Sequence, residues 1–268
     1  MNPVTIPPDM SVRRVILREH PVNELASSVR IDYERKFGQP PQEPGGWYHA
    51  DDWHRVSYVI EMLRPGGRFL DVGCGAGQFL NMVARAGRFE SVTGIDKARF
   101  KKYTEFEPDV SKSDGDIGSL QFDDDSFDVV TCMEVLEHVP DEVFLGGIEE
   151  LRRVCRGQLI MSVPFCEPEP ISRTHVRRFE VDDIRALFPD ARLTLLDRPR
   201  MPWMVMEERF GATKGSWAAA AIRDDSDPRD ATIARLRSEV EALRNRKSIR
   251  LANFVGRTVR GLENRIRG

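Results

Sequence analysis

The run Arg68-Phe69-Leu70-Asp71-Val72, followed by Gly73-Cys74-Gly75-Ala76-Gly77 and then Gln78-Phe79, constrains this chain more than any other stretch. An apolar segment of strand length breaks into three glycines spaced two apart and resumes as the start of a helix. Glycine has no Cβ and tolerates positive φ, so such a corner lets backbone come close to a ligand, and a nucleotide-like cofactor is the first expectation.

Around this corner, strand-like and helix-like segments alternate. Strands are expected at 68–72, 91–96, near Val110, and at 126–133, 158–164, 192–196 and 203–206. Helices are expected at 23–37, from Trp47 to Leu63, after the glycines through Asn81 to Ala86, around Lys97, Arg99, Lys101 and Lys102, and at 141–154 and 181–188. Repeated strand and helix units predict an α/β fold, a Rossmann-like, seven-stranded, mostly parallel sheet with helices on both faces. Trp47, Tyr48, His49, Trp53 and His54 read as buried mass on their helix, with a substrate lid as the functional alternative.

With 268 residues, 40% of them hydrophobic, the chain can bury one good core and still carry extensions. Prolines and charges fill residues 1–45, read as an N-terminal lead-in; 46–210 would be the cofactor-binding domain, 211–231 a linker and 232–268 a helical tail. No apolar run approaches the roughly 20 residues of a membrane span, and no signal-peptide layout opens the chain, which predicts a soluble cytoplasmic protein. Cys74, Cys132, Cys155 and Cys166 lack Cys-x-x-Cys spacing and read as buried or incidental thiols.

Which cofactor the corner holds is decided by its charges. A dinucleotide site has Gly-x-Gly-x-x-Gly with an acidic residue about 20 positions on. Here the spacing is Gly73-x-Gly75-x-Gly77, Asp71 precedes the glycines and Asp96 ends the next strand. A carboxylate beside the loop repels a pyrophosphate and attracts a sulfonium cation bearing an amino group. Leu70-Asp71-Val72-Gly73-Cys74-Gly75-Ala76-Gly77 resembles motif I of the class I S-adenosylmethionine-dependent methyltransferases, and the resemblance runs from about Pro65 to Met206. It implies that Gly73, Gly75 and Gly77 lie under the methionine moiety with Asp71 behind them. It also implies that Asp96 takes the ribose hydroxyls, that Asp116 faces the adenine amine and Ile117 flanks the ring, and that Cys132 and Met133 line the cofactor near its sulfur. The aspartates Asp123, Asp124 and Asp125 read as a solvated turn.

Glu134-Val135-Leu136-Glu137-His138 follows at the carboxyl edge of the sheet, where open α/β proteins bind ligands. In one helical turn, Glu134, Glu137 and His138 would share a face. Two carboxylates and an imidazole can hold a divalent metal, or His138, with Glu137, can act as a general base; an ordinary polar network is the third reading. The Glu-x-x-Glu-His spacing resembles metal-assisted O-methyltransferases, the ubiquinone-biosynthesis group and the small-RNA 3′-terminal 2′-O-methyltransferases. The broad type 11 and type 12 methyltransferases carry a similar run. In the small-RNA group a further His precedes Phe-Glu; here His175 stands before Phe179-Glu180, and the resemblance implies a fourth ligand to a metal such as Mg or Mn.

Residues 232–268 carry ten Lys and Arg against three acidic residues, a charge of +7 that leaves −10 for residues 1–231. Apolar positions recur at helical spacing through Ile233, Leu236, Val240 and Leu243. A basic amphipathic helix can lie on an anionic membrane surface, dock to a partner helix, contact nucleic acid or fold onto its own domain. Similar tails occur in enzymes of bacterial glycan assembly, a resemblance that implies O-methylation of a saccharide or other small-molecule hydroxyl and a protein peripheral to the membrane. RNA ribose 2′-O-methylation is the alternative, disfavoured by the acidic body, and a non-catalytic cofactor-binding interaction module is the competing class.

Overall fold

The computed structural model describes residues 4–38, 50–97, 106–198 and 201–211. The expected linker (apart from Gly211) and tail, residues 47–49 and most of the basic segment after Lys97 lie outside these residues. In chain order the strands are β1 (Val12–Ile16), β2 (Arg68–Val72), β3 (Ser91–Asp96), β4 (Val110–Asp114), β5 (Phe127–Met133), β6 (Cys155–Pro164), β7 (Arg192–Asp197) and β8 (Trp203–Arg209). The helices are α1 (Glu24–Phe37), α2 (Ala50–Met62), α3 (Gln78–Arg85), α4 (Asp141–Val154) and α5 (Val181–Leu187).

The strands form one sheet in the order β1-β7-β8-β6-β5-β2-β3-β4, parallel except for β8, which runs antiparallel to both neighbours. Among the described residues the sheet has eight strands, one more than the sequence predicts. The addition, β1, comes from the proline-rich lead-in. Its sequence Val12-Arg13-Arg14-Val15-Ile16 breaks the two-residue alternation of a half-buried strand, and its pairing with β7 is supplied by a partner some 180 residues away.

Side-chain alternation along β2 creates the two layers. Leu70 and Val72 join a core with Ile117, Phe144, Ile148 and Phe179, on the side of α4 and α5. Phe69 joins the opposite core with Trp53, Val56, Phe79 and Leu80, on the side of α2 and α3. Helix ends follow local chemistry. Asn23 accepts a hydrogen bond from the Ala26 N–H at 2.9 Å to open α1, and Gly38 closes it. Phe69 is fully buried, with its ring centroid 5.1 Å from that of Phe89. Phe69→Ala is expected to lower stability by about 3–5 kcal/mol in denaturant titrations.

Candidate active site

Two loops at the carboxyl ends of adjacent strands build the site. The first joins β2 to α3. Gly73, Gly75 and Gly77 all have positive φ, at 79°, 53° and 81°. The N–H groups of Gly73 and Cys74 both donate to the Ile95 carbonyl, at 2.8 and 3.1 Å, and the Gly75 N–H donates to Asp96 Oδ2 at 2.8 Å. A Cβ on Gly73 would stand 2.2 Å from Cγ2 of Val135, so glycine here is what allows the two loops to meet.

Asp71 lies on the α2 and α3 side of β2 and is 3% exposed. Thr131, its register partner on β5, donates its hydroxyl to Asp71 Oδ1 at 2.7 Å. Burial pushes the Asp71 carboxyl up to about 7, further raised by the charge of Asp96, while the Thr131 hydrogen bond and the positive charges of Lys112 and Arg55 oppose the rise. A buried acid of this kind favours a cationic group beside it. Next to the loop, the buried Gln78 Nε2 has no hydrogen-bond partner among the described residues and is a donor available to a ligand. These features fit S-adenosylmethionine, whose sulfonium and amino groups are positive and whose other edges offer acceptors. Asp116 pairs with Lys97 at 2.9 Å and accepts from the Gly118 N–H, while Ile117 is buried against Gly147 of α4. Cys132 is fully buried in the α4-side core, and Met133 is half-buried at the end of β5.

The second loop joins β5 to α4 and contains a short 3-10 turn over Leu136–His138. The structure groups Glu137, His138 and His175, with one ligand atom of each within 4.8 Å of the others. His138 Nδ1 lies 2.8 Å from the Thr174 carbonyl, and His175 Nδ1 lies 2.6 Å from Glu167 Oε2. Both partners accept, so each Nδ1 is the donating nitrogen, and in the neutral imidazole Nε2 is the nitrogen that offers a lone pair. Glu137 is 1% exposed and its Oε2 has no hydrogen-bond partner among the described residues. Burial, with the negative charge of Glu134 nearby, holds its carboxyl well above the usual range.

Glu134 departs from the expected shared face. Its φ is +56°, which turns it out of the 3-10 turn. Its Oε1 accepts from the Ser162 hydroxyl at 2.9 Å, its Oε2 accepts from Trp203 Nε1 at 2.5 Å, and Arg55 Nη1 stands 3.6 Å away. Glu134 thus serves a neighbouring network. In it the Arg55 and Arg198 guanidinium groups lie 4.6 and 3.5 Å from the Trp203 ring centroid.

Glu167, Thr131, Trp203 and Arg55 are the participants that reading the sequence missed. Glu167 and His175 sit eight residues apart in the loop after β6, a carboxylate near a histidine that could have been marked as a pair. Nothing local points to Trp203 or Arg55.

The chain is similar to several known proteins. Residues 70–160 fit a family model described as a methyltransferase domain. Over 213 residues the chain is 30% identical to a protein named ubiquinone biosynthesis O-methyltransferase from Xanthomonas campestris pv. campestris, a match spanning 68% of this chain and 86% of the relative. A protein of the same name from Paracidovorax citrulli is 43% identical over 113 residues, 35% of this chain and 47% of that one. Among solved structures, a magnesium protoporphyrin IX methyltransferase from Synechocystis PCC 6803 with bound SAH aligns with a TM-score of 0.49 and 19% identity, covering 69% of this chain and 95% of that one. With a relative covered over most of its length and the glycine corner in place, the chain belongs to the class I S-adenosylmethionine-dependent methyltransferases.

Proposed function

We propose that the protein is an O-methyltransferase acting on a hydroxyl of a small molecule, with a divalent cation held by Glu137, His138 and His175. The observation that carries this reading is the donor set itself: a buried carboxylate and two imidazoles with one ligand atom of each within 4.8 Å of the others, His138 Nε2 standing 3.9 Å from Glu137 Oε1. Glu167 behind His175 and the Thr174 carbonyl behind His138 fit the pattern in which acceptors fix the tautomer and aim of metal-bound histidines. Two nitrogens and one oxygen suit Mn better than Mg, which prefers oxygen alone. The relatives named above as O-methyltransferases support oxygen as the atom that receives the methyl group.

A bound cation would lower the pKa of the acceptor hydroxyl, the step for which a neutral hydroxyl needs help. The chain's own residues do the rest. The glycine loop and Asp71 position the donor, Asp96 remains our proposal for the ribose contact, and Asp116, Ile117 and Met133 for the rim of the adenine and sulfur ends. Catalysis then rests on holding the methyl and the acceptor oxygen in line. Glu134 is withdrawn from the ligand set, because both its oxygens already serve Ser162 and Trp203. A saccharide acceptor has no support in this site, since it was inferred from the tail.

The test is to strip the protein with chelator and assay transfer to phenols, vicinal diols and saccharides, then restore Mn. Turnover is expected to fall at least tenfold on stripping and to recover with metal. Turnover unchanged by chelator would overturn the metal and leave His138 as general base.

A further inference from the structure

The cofactor loop is gripped from outside by an element that the catalytic reading leaves without a role. All three carbonyls from Gly75 to Gly77 are taken by side chains of three different elements. Lys112 Nζ on β4 donates to Gly75 O at 2.8 Å, Tyr33 Oη on α1 donates to Ala76 O at 2.7 Å, and Asn81 Nδ2 on α3 donates to Gly77 O at 2.9 Å. Asn81 Nδ2 also donates to Tyr33 Oη at 2.9 Å, so the tyrosine oxygen accepts there and its own proton points at Ala76. The Tyr33 and Asn81 groups are fully buried, and Asn81 Oδ1 further accepts from the Phe106 N–H at 3.0 Å. The Tyr33 and Phe106 rings stack edge-on with centroids 5.0 Å apart.

Helix α1 is itself held in register over α3. Arg85, at the end of α3, donates to Asp32 and Ser28 of α1, each at 2.8 Å, and to Glu107 at 2.7 Å. One helix therefore touches both ends of the element that opens with the glycine loop.

We propose that Tyr33 is a positioning residue for S-adenosylmethionine and that α1 is a working part of the cofactor site. The hydroxyl fixes the Ala76 peptide, whose neighbours on both sides are glycines with little steric restraint of their own, so the loop is shaped before the cofactor arrives. Preorganisation of this kind appears as affinity, because a loop that must be ordered on binding weakens it. Loss of the hydroxyl leaves a buried carbonyl and a buried amide N–H without a partner, which frees the loop to seek other shapes.

The experiment compares Tyr33→Phe with Val29→Ala, a fully buried position on the same helix whose side chain is absent from this hydrogen-bond network. Calorimetry measures S-adenosylhomocysteine binding at a temperature where both variants are folded by circular dichroism. Amide exchange of residues 73–77 is followed in cofactor-free protein. Tyr33→Phe is expected to weaken binding about tenfold and to speed exchange in the loop. Val29→Ala is expected to lose stability while binding within about twofold of the parent. Parent-like affinity in Tyr33→Phe, or equal weakening in Val29→Ala, would overturn the assignment. Asn81→Asp, which keeps the acceptor for Phe106 and loses the donors to Tyr33 and Gly77, is expected to reproduce the Tyr33→Phe result; parent-like binding by it counts against the network.

Discussion

Glu137→Gln is expected to reduce methyl transfer about 1,000-fold while making the metal-free protein more stable. The two effects have one origin. The carboxylate is buried, with no partner for Oε2 among the described residues, so as an anion it burdens the folded state, and a ligand that needs a negative charge compensates it. Its raised pKa means that the folded protein holds the proton more tightly than the unfolded chain does. The group's contribution to stability is therefore full below the ordinary carboxyl range and is lost as pH rises through the folded value. Glutamine removes that loss, and unfolding at pH 8 is expected to require about 1–3 kcal/mol more than in the parent, with the difference shrinking toward pH 4. Activity falls because an amide is a poor cation ligand and cannot take a proton. Denaturant titrations at the two pH values, with single-turnover rates, check both halves. Turnover within threefold of the parent would remove Glu137 from the chemistry.

The second large effect concerns the donor. The Asp71 carboxyl, raised to about 7 chiefly by burial, is neutral in the folded protein at pH 6 and ionised at pH 8. The ionised form attracts the positive end of S-adenosylmethionine, so affinity is expected to fall about tenfold from pH 8 to pH 6. Binding near pH 7 should release protons, measured by calorimetry in buffers of different ionisation enthalpy. Asp71→Asn is expected to weaken binding by at least 100-fold at pH 8 and to flatten the pH profile. The stability consequence runs as for Glu137: the raised pKa is a contribution present below about pH 4 and lost as pH rises through about 7. The cofactor-free variant should gain up to about 4 kcal/mol over the parent above pH 8. A pH-independent affinity in the parent would remove Asp71 from the charge pairing.

The donor side was largely legible because its signals are local. Gly73, Gly75 and Gly77 adopt positive φ where a strand turns into a helix, and Asp71 near the end of β2 and Asp96 at the end of β3 stand on strands whose apolar patterns are plain. The acceptor side was legible only in part. Glu137 and His138 were marked by residue type and spacing and His175 by a family resemblance, while Glu134 was grouped with them on the assumption of a continuous helical turn. Its positive φ, with Ser162 and Trp203 waiting on β6 and β8, sends it elsewhere. The strand β1 escaped notice because an edge strand needs only one partner, and that partner is near the other end of the described chain.

The sequence by itself determined the layer architecture, the glycine corner and the class of donor, since each follows from steric and charge rules acting within a few residues. Tertiary structure decided which acidic group is buried, which histidine nitrogens face an acceptor, and which helix holds the cofactor loop. Those outcomes depend on hydrogen-bond partners such as Glu167, Thr131 and Tyr33, brought together by the packing of helices and loops on a sheet, and short-range patterns carry no information about them.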